Sequence, residues 1–425
     1  MTALVSILNK RAAVIAADSA VTITNGDNRK IINTATKIFR LSSKNPVGVM
    51  IYTSAEFMGI PWDVLFKLYR DKNTGKSFDT LKEYVDDFIN FLRHEKHFID
   101  KESQTNYLSV HARFFLDKIN DLYEYGLKKA CRYNPESRKQ KKVLKMCLDT
   151  AFKVLHDDYV EKGPCSDFDG YTPQQFHTYA KETLDKLEKL RKEKDLPGSR
   201  IRWEKEFYDY IVSNHYLRST GLIFVGYGDD DIYPSLIATE LSGFVDNRLR
   251  FFIDNDASDT INNNNLSYVA PFAQTDVMMS LLKGMHPYMF DIVMRNQEET
   301  MNNVKKQMIT AMKDAGVKEK LIDNLSKFNL TPFMEQFGEK IEENMYNCFS
   351  SDIVDAVASF NIEDMVKMAE SMILITNLQR HISSWEESVG GPVDVAVITK
   401  SEGFVWVNHK QWYQQEMNPQ MSERR

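Results

Sequence analysis

Cysteine is scarce in this chain and follows no pattern. Four stand in 425 residues, at Cys131, Cys147, Cys165 and Cys348, and no two are spaced as CxxC. That density excludes a disulfide framework, and the spacing offers no ligand set for a structural zinc ion. A basic excess is also missing. Lys and Arg number 54 against 60 Asp and Glu, a net charge of −6, so the chain carries no electrostatic footprint for nucleic acid. Long apolar runs are lacking too. The N-terminal stretch is interrupted by Asn9, Lys10 and Arg11, which fits neither a secretory signal nor a membrane span. Together these absences predict a cytoplasmic protein with no nucleic-acid partner, no membrane and no metal. What is present is ordinary for a soluble globular fold: 43% hydrophobic and 27% charged residues.

Order along the chain carries more than composition. Residues 3–8 and 12–17 are short apolar runs around Asn9-Lys10-Arg11 and predict a hairpin. Residues 36–41 and 47–52, after a polar turn at 25–28, predict two further strands of a four-strand meander. Helical spacing follows over 54–69, with Phe57, Ile60, Val64, Leu65 and Leu68 on one face. From 76 to 215 the pattern is helical and polar, broken near Gly163-Pro164, Asp169-Gly170 and Pro197-Gly198. This region is expected to form a layer outside the sheet core. The basic run at 138–145 reads as a solvated helix face. Strand signals return at 221–227, 234–241 and 248–253, helices over 274–381, and a last strand pair at 393–398 and 403–407. Asn361 is placed to cap the helix 362–382. The methionines between 278 and 312 suit ordinary helix packing or an adaptable contact surface. Periodicity alone gives an α+β protein.

Particular residues narrow this. Thr2 precedes the strand ALVSI; VIAADSAVT follows at 14–22, TATKIFRL at 34–41 and GVMIYTSAEF at 48–57; ESVGGPVDVAVITKSEGFVWV lies at 387–407. These segments, with GLIFVGY at 221–227, resemble the proteasome β-subunits and the bacterial proteasome-like peptidases, an N-terminal-nucleophile hydrolase family. About half the chain is covered. The resemblance implies a four-layer αββα sandwich with large helical insertions. The expected division is core at 1–75, 216–290 and 356–412, helical insertions at 76–215 and 291–355, and a polar tail at 413–425.

The resemblance also implies a site. Thr2 is the expected nucleophile once Met1 is removed, because the freed α-amine, with a pKa of about 7.7–8.0, can take the hydroxyl proton. Lys37 is the expected cation beside it, and Asp18 its orienting carboxylate. Glu386 and Ser388 fall near the family's supporting acid and serine, although Val389 occupies the serine's own place. Tyr52 stands where the family has the first glycine of its oxyanion turn; its backbone N–H remains as donor, while its ring is expected to restrict access. Val21, Ala35, Phe39, Met50 and Ser54 correspond to an apolar substrate pocket. No cofactor is implied. The implied partners are a peptide or protein substrate, a second copy of the chain, and an unfoldase or other protein docking on the insertions. A catalytically inactive scaffold and a small-molecule amidase remain open as alternatives.

Overall fold

The computed structural model describes residues 2–25, 28–132, 140–382 and 390–410. In chain order the strands are β1 (Ala3–Asn9), β2 (Ala13–Ala17), β3 (Val21–Asn25), β4 (Asn28–Ile32), β5 (Ile38–Arg40), β6 (Val47–Tyr52), β7 (Glu56–Phe57), β8 (Ile60–Pro61), β9 (Thr220–Gly226), β10 (Ser235–Val245), β11 (Arg248–Thr260), β12 (Ser267–Ala273), β13 (Asp394–Thr399) and β14 (Gly403–Asn408). Between β8 and β9 run α1 (Trp62–Lys72), α2 (Leu81–His94), α3 (Lys96–Ile99), α4 (Lys101–Cys131), α5 (Lys141–Lys162), α6 (Pro173–Tyr179), α7 (Lys181–Glu193) and α8 (Arg200–Val212). Between β12 and β13 run α9 (Asp276–Lys283), α10 (Pro287–Asp314), α11 (Glu319–Ser326), α12 (Thr331–Met345), α13 (Ser351–Ser359) and α14 (Ile362–Ile382). The chain is therefore α+β, and it divides into two compact units, 1–36 with 261–425, and 37–260.

The first unit is built on a five-stranded antiparallel sheet of order β12-β1-β2-β13-β14. Every residue of β1 and β2 is buried, which explains why both read as unbroken apolar runs without alternation. Asn9 closes their hairpin: its side-chain oxygen accepts from Arg11 N (2.9 Å) and Ala12 N (3.3 Å). Its amide donates to the carbonyls of Val357 and Phe360, fastening the turn to the end of α13. One face of the sheet packs Val5, Ile7, Val14 and Ala16 against Met365, Ala369, Met372 and Ile373 of α14. Each fully buried Val, Ile or Met there stabilises by about 1.5–3 kcal/mol. Asn361 caps α14, accepting from Asp364 N at 2.9 Å.

The second unit has a five-stranded antiparallel sheet of order β11-β10-β9-β6-β5. Along β6, Val47, Val49 and Ile51 pack with Leu65 and Phe66 of α1, Phe88 of α2 and Phe224 of β9. Gly48, Met50 and Tyr52 alternate with them and point to the other face. A separate core fills the bundle of α4, α5, α7 and α8, with Phe115, Leu116, Trp203, Phe207 and Tyr210 at its centre. The Gly163 break has φ 71° and ψ 179°, a region open essentially to glycine alone.

Three expectations need correction. No four-strand meander forms, because β1–β2 and β5–β6 belong to different sheets, and the hairpin β3–β4, which sequence reading passed over, intervenes. The helix expected from residue 54 begins at Trp62, after the short pair β7–β8 turned by Met58 (φ 48°) and Gly59 (φ 85°). Its buried face is Trp62, Leu65, Phe66 and Tyr69, so Val64 and Leu68 are exposed. Third, α2 is no outer polar layer: Leu81, Tyr84, Val85, Phe88 and Leu92 are buried in the core that covers the sheet.

Candidate functional site

Thr2 sits at the entrance to β1 and is nearly buried, 8% exposed. Its position is set from two sides. The carbonyl of Thr2 accepts from Gln274 N (3.0 Å), just beyond the β1–β12 register that pairs Ala3 with Ala273. The next peptide N–H, that of Ala3, donates to Asp18 Oδ1 at 2.9 Å, and Asp18 N returns a bond to the Ala3 carbonyl at 3.1 Å. Asp18 follows β2, so the hairpin itself carries the carboxylate to the residue beside Thr2.

Asp18 is fully buried, and its second oxygen accepts from Ala20 N (3.1 Å) and Gly390 N (3.2 Å). Three backbone donors thus hold one carboxylate, a strong arrangement for a buried anion. The Gly390 contact spans 372 residues and joins the two ends of the sequence pattern. Around it, Ser19 N donates to Gly390 O (3.1 Å) and Ser19 Oγ to Pro392 O (2.6 Å). Gly391 has φ 77°, and a Cβ there would lie 2.9 Å from Asn33 Cβ and the Asn33 carbonyl oxygen. Glycine is needed for that approach. Further along, Asp394 of β13 is buried, bonded by His409 Nδ1 (3.2 Å) and paired with Lys410. Burial pushes its carboxyl pKa up, but the bonds from His409 and Lys410 outweigh this and hold it below the usual value.

Sequence reading missed the polar cluster on the Thr2 side of this unit. Gln274, whose N–H touches the Thr2 carbonyl, accepts through Oε1 from Arg380 Nε (3.1 Å), and Arg380 pairs with Asp276 at 2.5 Å. Ala273 holds φ 65°, an uncommon conformation for a non-glycine, where β12 ends beside Thr2. Arg380 in the last turn of α14 was the available signal, although a basic residue there equally suits the helix dipole.

Lys37, Phe39, Met50, Tyr52 and Ser54 lie in the second unit. Lys37, only 3% exposed, precedes β5, and its carbonyl accepts from Ile51 N at 2.9 Å. A lysine so buried is rare without a partner for its charge. Tyr52 ends β6, paired with Gly221 of β9. A Cβ at Gly221 would fall 1.9 Å from the Tyr52 ring, so the ring occupies the space over that glycine. Burial pushes the Tyr52 phenol pKa up, and Glu240 and Asp254 add to the shift. Phe39 packs against Phe66 with the rings tilted and their centroids 5.2 Å apart, and Met50 is wholly buried within the sheet. Ser54 bonds the Glu56 carbonyl at 2.8 Å, while Val21 and Ala35 are half-buried in the first unit. Glu386 and Ser388 lie outside the described residues. Among the described residues no cluster of His, Cys, Asp and Glu could hold a metal ion, and no helix is long and apolar enough to cross a membrane. No protein-family model matches the chain, and no curated protein matches it significantly.

Proposed function

We propose that this chain is a threonine-type N-terminal-nucleophile hydrolase that cleaves amide bonds, its two sheets forming the inner layers of an αββα sandwich. The observation that carries the reading is the meeting of two distant motifs on Asp18: the AADS turn and the Gly390-Gly391-Pro392 loop both bond this carboxylate or its neighbour, one peptide from Thr2. Core packing alone does not call for a buried carboxylate there. A carboxylate serving the threonine beside it does.

In this reading the α-amine of Thr2 takes the hydroxyl proton, and Oγ attacks the amide carbon. The tetrahedral oxyanion is met by a backbone N–H at Tyr52. Collapse releases the amine product, protonated by the α-ammonium, and leaves an ester on Thr2 that water hydrolyses. Lys37 supplies the charge that favours the alkoxide, and Asp18 keeps the strand end and the lysine in order. The substrate is a peptide or protein.

Two requirements are open to direct test. Active protein must begin at Thr2, which intact mass reads as the loss of Met1. Thr2→Ala must abolish hydrolysis of fluorogenic peptide amides with the circular dichroism unchanged, since Thr2 adds little core volume. Full activity in Thr2→Ala, or active material that quantitatively retains Met1, overturns the reading.

A further inference from the structure

The second unit contains a cavity of about 440 Å³ whose walls include Arg218, Tyr107, Ser242, Ser103, Asn106 and Thr220. Its electrostatics are lopsided. Arg218 is exposed at the wall and lies over the Phe114 ring at 4.8 Å; it has no ion-pair partner among the described residues. Behind the wall stands Arg250, wholly buried. Its guanidinium donates to the carbonyls of Tyr210 (2.9 Å) and His215 (3.2 Å) and to Tyr107 Oη (3.3 Å), between the rings of Tyr210 and Tyr216 at 4.6 and 4.7 Å. No carboxylate is among these partners. A buried cation held only by dipoles and ring faces keeps an uncompensated field.

An ordered chain of hydroxyls links this cation to residues of the cavity wall. Tyr107 Oη accepts from Arg250, so its own proton goes to Ser242 Oγ at 2.6 Å. Ser242 in turn donates to the Arg218 carbonyl at 2.7 Å. The site is built for this: a Cβ at Gly243 would lie 2.4 Å from the Tyr107 ring, so glycine lets the ring lie against β10. Glu56 is an exposed carboxylate on the wall. Glu240 touches the wall from behind through Ser219 at 3.2 Å, and burial pushes its carboxyl pKa up, towards the neutral form.

We propose that this cavity binds a small anion, a carboxylate or phosphate group of a metabolite-sized molecule, with Arg218 as the direct contact and Arg250 as the fixed charge behind it. The volume lies within the range of small-molecule sites. The site belongs to the second unit alone and does not rest on the threonine reading.

The test is isothermal titration of the full chain with two probes, inorganic phosphate and succinate, at low ionic strength. Wild type should bind one or both, and which one binds tells a phosphoryl from a carboxyl ligand. Arg218→Ala, a substitution at an exposed position that leaves the fold intact, should weaken that binding at least about tenfold, the loss expected for one charge-assisted contact. Arg218→Lys should recover part of it. Absence of binding by both probes, or equal affinity in wild type and Arg218→Ala, overturns the proposal.

Discussion

The two sheets of this protein are fastened by different means. In the second unit, ring packs on ring: Phe57, Trp62, Phe66, Phe88 and Phe224 share one core, and Phe115, Trp203, Phe207 and Tyr210 share another. In the first unit the sheet face is lined by alanine and β-branched residues under α14, and its ends are tied by single polar groups, Asn9 at one turn and Asp18 at the other. The aromatic cores spread their stabilisation over many contacts, so a lost ring costs buried volume but misplaces no single bond. A buried carboxylate with three backbone donors has no such redundancy. That single polar tie lies one peptide from Thr2.

The largest effect should come from a ring in the helical core. Phe115 is almost wholly buried and meets Phe207 at 5.4 Å and Tyr210 at 5.7 Å. Phe115→Ala should cost about 3–5 kcal/mol in urea unfolding, through lost transfer energy and the cavity left behind. A value below about 1 kcal/mol would mean that the bundle repacks freely, and the comparison would lose its aromatic side.

Asp18→Asn should come next. The amide keeps one acceptor oxygen but turns its NH₂ towards backbone donors, leaving about 1–3 kcal/mol of unsatisfied hydrogen bonding. Unchanged stability would show that Asp18 is no tie-point.

Acid should separate the two units by pH window. Burial, with Arg250 and Arg218 nearby, holds the His111 pKa in α4 well below its ordinary 6.5. The unfolded chain therefore takes up a proton that the native helical core refuses. Stability falls as pH drops below about 6.5, by at most about 1.4 kcal/mol per pH unit. Asp394 works lower: its folded pKa lies under the ordinary 3.8, so its contribution is intact above that value and fades as pH falls through the folded pKa. Amide-exchange protection should decline first in the second unit, and His111→Gln should narrow the upper window, the rest belonging to His215, whose pKa burial also lowers. Simultaneous loss in both units, unaffected by that substitution, would contradict the assignment.

The smallest effect belongs to α10. This helix runs for 28 residues and buries none of them, and Met289 and Met308 are about half exposed. Met308→Ser should change stability by no more than about 0.5 kcal/mol. A larger loss at high protein concentration only would reveal a partner copy covering that face.

Much of the architecture was legible because apolar run length and glycine breaks are local signals. The hairpin at Asn9, the strands β6, β9 and β13, the helix capped by Asn361 and the breaks at Gly163 and Gly198 all lie where residue types place them. Sheet membership was not legible. Strands β2 and β6 both read as short apolar runs, and only long-range pairing assigns them to different sheets. Helical phase failed at α1, since Phe57 and Ile60 fit a helical face but belong to short strands. At the candidate site, Asp18 and the glycines of the closing loop were readable as a pattern. Gln274 and Arg380 were not, because a glutamine after a strand and an arginine ending a helix each have an ordinary local explanation.

The central claim, that Thr2 is an activated nucleophile, is tested most directly by a β-lactone probe, which acylates such a threonine. The labelled protein is digested and the adduct mapped by mass spectrometry. The account predicts one adduct, on Thr2 of a chain lacking Met1, absent from Thr2→Ala and at least about a hundredfold slower in Lys37→Ala, the loss expected for one electrostatic stabiliser. An accessible, folded Thr2 that the probe never labels, or labelling unaffected by Lys37→Ala, would contradict it.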